Sequence, residues 1–79
     1  MMKNTMELKK ELDEADRELN RRYRFALWCE RVLLNSKTLE EYKANECQLQ
    51  QAEDAVQAQA VIVQNIRSEW VKQDIAERL

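Results

Sequence analysis

The sequence predicts an all-α fold: an antiparallel hairpin of two long helices that dimerises into a four-helix arrangement. Three observations predict it. The 79 residues contain no glycine and no proline, apolar residues recur at alternating steps of three and four, and one short polar segment, residues 35–38, interrupts them. Average usage would supply roughly 9 glycines and prolines in a chain this long. Without them tight turns lack their usual residues, and sheet folds that need many turns are disfavoured. Hydrophobic residues make up 44% and charged residues 35% of the chain, too apolar for a disordered segment and too polar for a membrane span. The length fits a single helical-hairpin domain, 1–79, near the size at which one core is marginal.

Helix one is expected over about 5–34. Asn4 followed by Glu7 is a variant of the capping box, in which a side chain accepts from a backbone N–H that the first helical turn leaves free. Leu8, Leu12, Ala15, Leu19, Arg22, Ala26, Cys29 and Leu33 then form one heptad-like stripe, the pattern of a helix with one buried face. The turn, about 35–38, holds Asn35 and Ser36, and Thr38 with Glu41 forms a second capping box. Helix two runs over about 39–78 with no breaker, and Leu49, Ala52, Val56, Val63, Ile66 and Trp70 mark its stripe. At 1.5 Å per residue the helices are roughly 45 and 60 Å long. The second therefore overhangs, leaving Val71, Ile75 and Leu79 for the N-terminal methionines or another chain. Arg22, on the core stripe, falls near Glu53, where an ion pair would fix the register.

Two segments carry more apolar surface than a two-helix contact can cover. Phe25, Trp28 and Val32 point away from the helix-one stripe. Residues 55–66, AVQAQAVIVQNI, hold no charge, and Ala55, Ala58 and Ile62 form a second face beside the main stripe. These segments fall at different heights in the hairpin, so one chain cannot bury both. A two-fold dimer with Phe25, Val32, Ala55, Ala58 and Ile62 at its interface resolves this.

Lys10, Glu14, Arg17, Arg21, Arg24, Trp28 and Arg31 share a stripe opposite the core. Guanidiniums around an indole suit an acidic, partly apolar protein surface. The expected partner site is Arg17, Arg21, Arg24, Trp28 and Arg31. The bland reading is a solvated face laced with pairs such as Asp13–Arg17 and Glu14–Arg17. The same arginines could hold phosphates of a nucleotide or nucleic acid, but Glu14, Asp16, Glu18 and Glu30 lie close by, and the net charge is −2. No membrane role is expected, because the apolar residues of 21–34 wrap around the helix instead of forming one face.

Two cysteines and no histidine exclude His-based catalysis and the common zinc patterns. Cys29 and Cys47, at similar heights, are expected to be buried and reduced, since packed helices lie too far apart for an easy disulfide. No apolar run reaches signal-peptide or membrane length, so the expected compartment is the cytoplasm. Residues 8–19, LKKELDEADREL, resemble the opening helix of the small all-helical chorismate mutases, commonly L-R-x-x-I-D-x-x-D-x-x-L, and Lys37 falls where that family has a helix-end lysine. The resemblance implies an enzyme as a remote alternative. The chain departs from it with Lys9 at the arginine position, Ala26 where a second arginine is expected, and no intervening loop. The expected function is a non-enzymatic protein-binding module without cofactor, metal or catalytic residue: an adaptor, a co-chaperone or a small inhibitor that occludes or positions its partner.

Overall fold

The computed structural model describes residues 3–79. Two helices, α1 (Thr5–Leu34) and α2 (Leu39–Arg78), pack against each other as a hairpin. The rod measures 61 × 17 × 13 Å. Asn4 Oδ1 accepts the Glu7 N–H at 2.8 Å, so α1 starts at a capped end. With no glycine to enter the left-handed region, α1 closes by tightening. The Asn35 N–H is shared between the Arg31 and Val32 carbonyls at 3.2 Å each, and Ser36 N–H donates to Leu33 O at 3.1 Å. Thr38 Oγ1 then caps α2 through the Glu41 N–H at 3.0 Å. The Glu41 carboxylate reaches back to the Lys37 N–H at 2.9 Å. Asn45 Nδ2 donates to Ser36 Oγ at 2.9 Å, pinning the turn to α2.

The contact between the helices has two apolar clusters. Away from the turn, Leu12, Ala15 and Val63 are buried under Leu19, Ile66 and Trp70. Near the turn, Ala26, Cys29 and Ala52 are buried under Leu49 and Val56. Small side chains in the second cluster let the helix axes approach closely. Between the clusters lies a polar layer. Arg22 Nη1 donates to Ala55 O at 3.1 Å while its Nε donates to Glu18 at 3.0 Å. Gln59, 5% exposed, donates to Ala15 O at 3.1 Å. Gln59 was not expected in the core, although it occupies the stripe between Val56 and Val63.

The expected Arg22–Glu53 pair does not form. Glu53 lies two residues from Ala55, about 200° around α2, and lines the groove with Tyr23, Leu27 and Glu30. Arg22 lines the groove on the other side, with Phe25 and Ala55. Register is set by a guanidinium on a backbone carbonyl instead.

At the open end the tip of α2 is tied down. Glu77 accepts from the Thr5 hydroxyl and from the Thr5 N–H, the latter at 3.3 Å. Ile75 and Leu79 stay exposed, as does Met6. Met1 and Met2, the other methionines expected to cover this end, lie outside the described residues. The Thr5 hydrogen bonds hold the Glu77 carboxyl below its ordinary 4.5.

Two predictions follow from these contacts. Arg22→Ala should destabilise the hairpin by about 1 kcal/mol, and Glu53→Gln should change stability by less than about 0.5 kcal/mol. Urea titrations read both; equal losses would restore the Arg22–Glu53 pair. Because Glu77 titrates lower folded than unfolded, its strap contributes above the ordinary carboxyl range and is lost as pH falls through the lowered value. A carboxyl-carbon NMR titration should place Glu77 below 4.5, with Thr5→Ala returning it toward 4.5.

Candidate interaction surfaces

The stripe opposite the core contains a narrower feature. Lys10, Arg17, Arg24 and Arg31 are spaced by seven residues and all are exposed. On an α-helix this is one line of cations about 10.5 Å apart. Among the described residues none of the four makes an ion pair, whereas Lys3, Lys9, Arg21, Arg22 and Arg78 each do. The expected Asp13–Arg17 and Glu14–Arg17 pairs are absent. Asp13 instead meets Lys9 at 3.1 Å, and Lys9 is held there over the Trp70 ring, 5.6 Å from its centroid. Arg21 is drawn aside to Glu18 at 2.7 Å. Of the five residues expected to meet a partner, Arg17, Arg24 and Arg31 are unpaired and Trp28 is 53% exposed.

Leu27, 47% exposed, belongs to the same face and was missed in the sequence. Arg24, Leu27, Trp28 and Arg31 stand at i, i+3, i+4 and i+7. Four such residues form the hole that accepts a side chain from a facing helix. Here the two lateral corners are apolar and the two axial corners are cationic. Leu27 lies beside that stripe, which steps from Arg24 by four to Trp28 and then by three to Arg31.

The second candidate surface runs along one side of the hairpin. Phe25 and Ala55 line a groove of about 490 Å³ with Arg21, Arg22, Gln48 and Gln51. Phe25 stacks on Trp28 with centroids 5.9 Å apart and planes at 24°. Trp28 and Val32 line a neighbouring recess at the turn. Ala58 and Ile62 continue from Ala55 at i+3 and i+7, level with the α1 residues that precede Arg22. The aromatic block of α1 and the aliphatic block of α2 therefore lie on the same side, at successive heights. The opposite groove also exposes Tyr23 and Leu27, but Glu30 and Glu53 line it, and neither carboxylate has an ion-pair partner among the described residues. Burying that side would desolvate both.

Both cysteines are free thiols, but only Cys29 is buried, at 1% exposure. Cys47 is exposed, correcting the expected pair of buried thiols: it precedes Leu49 by two residues, which turns it about 200° from the contact face. Among the described residues no group of histidine, cysteine or carboxylate side chains is arranged to hold a metal ion. No described helix is long and apolar enough to cross a membrane. The residues compared with chorismate mutases are spread out: Ala26 is buried in the helix contact, and Lys9 and Lys37 lie about 42 Å apart along the rod. No family model matches the sequence, and comparison with curated proteins and with solved structures finds no match.

The thiols give a direct check of this packing. An aromatic disulfide reagent should titrate Cys47 at once in the native protein and Cys29 only as fast as the hairpin opens. Two fast thiols would show that the Ala26–Cys29–Ala52 contact is not formed.

Proposed function

We propose that this chain is a non-enzymatic protein-binding module, an adaptor, co-chaperone or inhibitor, that self-associates into a four-helix dimer. It docks the arginine–tryptophan face of α1 on an acidic, partly apolar partner protein and occludes or positions it. The observation that carries the reading is where the bulk lies. The buried core is Leu8, Leu12, Ala15, Ala26, Cys29, Ala52 and Val63, while Phe25, Leu27, Trp28 and Ile62 are each about half exposed. The rod exposes 6452 Å², against about 5,000 Å² for a compact monomer of this mass. The difference exceeds the roughly 800 Å² that each partner buries in a standard interface.

Self-association uses the side that joins Phe25 and Val32 to Ala55, Ala58 and Ile62. A two-fold axis between the aromatic and aliphatic blocks lays each block on the other copy's complement, as an isologous interface requires. This side is favoured over the opposite groove because it buries neither Glu30 nor Glu53. The free thiols suit a reducing, cytoplasmic setting.

Sedimentation should give a dimer at micromolar concentration, and Ala58→Arg should return it to monomer with helicity intact. Val61→Arg, exposed on the outer side of α2, should leave the dimer in place. A wild-type monomer, or equal disruption by both variants, would remove the interface. The second reading, phosphate binding, is favoured by the unpaired stripe of Lys10, Arg17, Arg24 and Arg31. It requires affinity for duplex DNA or RNA to fall log-linearly with salt, with a slope of up to about −3.6 for four phosphates. A protein interface anchored on Trp28 is lost instead on Trp28→Ala, with weaker salt dependence.

A further inference from the structure

The seven-residue spacing of the unpaired cations carries the partner's description further. We infer that the outer face of α1 docks an acidic α-helix, with carboxylates one heptad apart and an apolar side chain between them. This rests on the proposed protein-binding function and names the form of its partner.

Spacing and charge select the occupant. Arg17, Arg24 and Arg31 rise about 10.5 Å per step and drift only about 20° around α1 each time, the same spacing and drift as residues seven apart on a second helix. A helix lying along α1 therefore meets all three guanidiniums with one line of Asp or Glu, each pair a charge-assisted hydrogen bond of the fork-to-carboxylate kind. Between Arg24 and Arg31, Leu27 and Trp28 leave a hole that takes a Leu- or Met-sized knob. A phosphate strand matches this line less well. Its charges are closer together and curve away from a straight rod. A partner loop would supply carboxylates without the repeat. The face is free to act: none of Arg17, Arg24 or Arg31 is engaged by a described residue. Leu27 and Trp28 are exposed at 47% and 53%. The site also lies outside the line Phe25–Val32 and Ala55–Ile62, so the dimer leaves the guanidinium line open on both copies.

The test uses the full chain and two helical peptides of about 21 residues and identical composition. One carries Glu every seven residues with Leu midway between successive glutamates. The other carries the same residues with the glutamates distributed around the helix. Calorimetry at moderate salt should give about tenfold tighter binding to the heptad peptide. Arg24→Ala and Leu27→Ala should each abolish that preference, with circular dichroism unchanged. Lys10→Ala, beyond the hole, should keep it. Equal affinity for the two peptides would overturn the helical repeat and leave the acidic-partner reading standing. Failure to bind either peptide, with tight salt-sensitive binding to duplex RNA, would overturn both.

Discussion

The fully buried residues in the near-turn half of the hairpin carry almost no bulk. Ala26, Cys29 and Ala52 are buried together there, with Leu49 and Val56 packed against them. Small residues at a helix contact favour a close approach of the axes, which leaves no room between them for an aromatic ring. Phe25 and Trp28, sequence neighbours of those buried residues, are turned outward and about half exposed. The opposite arrangement, large residues inside and small ones out, would give a better-buried monomer with no adhesive side. Near the turn, then, the choice of small residues for the contact decides both the fold and what remains for other molecules.

Close packing alone would not fix the register, since alanines slide past one another with little penalty. The polar layer does. Arg22 on the Ala55 carbonyl and Gln59 on the Ala15 carbonyl each bridge one helix to the backbone of the other. A one-residue slip would leave both side chains short of their acceptors, and a buried amide without a partner costs about 1–3 kcal/mol. This layer also divides the apolar core into two clusters. Phe25 and Ala55 consequently lie beside a polar seam.

Helix identity, caps and the main stripe were legible in the sequence because they depend on local spacing. Asn4–Glu7 and Thr38–Glu41 cap as their spacing implies, since each needs only a side chain three residues from an N–H. What escaped depends on rotation about the helix axis at a given height. Glu53 and Ala55 are both near Arg22 in height, but they face different grooves, and height alone selected the wrong one. Cys47 was matched to Cys29 by height in the same way, although it faces outward. Gln59 was overlooked because a polar residue in a buried stripe is disfavoured unless an acceptor waits opposite. That acceptor, a helical carbonyl with a spare lone pair, leaves no mark in the sequence. Leu27 was hidden differently, as an apolar residue among charges on a face defined by its charges.

Trp28 connects the two surfaces. Its ring stacks on Phe25 on the side proposed for self-association, and it is one corner of the i, i+3, i+4, i+7 set with Arg24, Leu27 and Arg31. Anything that fixes the Phe25 ring, a second copy above all, also restricts the Trp28 rotamer. A helix docking on the outer face then meets a wall already ordered and loses less side-chain entropy on binding. Self-association and partner binding on this reading reinforce each other through one indole, with no movement of the backbone. The coupling is bounded by the freedom of that one side chain, of order 1 kcal/mol, enough for a severalfold gain in affinity and too little to make binding obligatory on the dimer. Such a module would bind its partner only severalfold more tightly as a dimer than as a monomer.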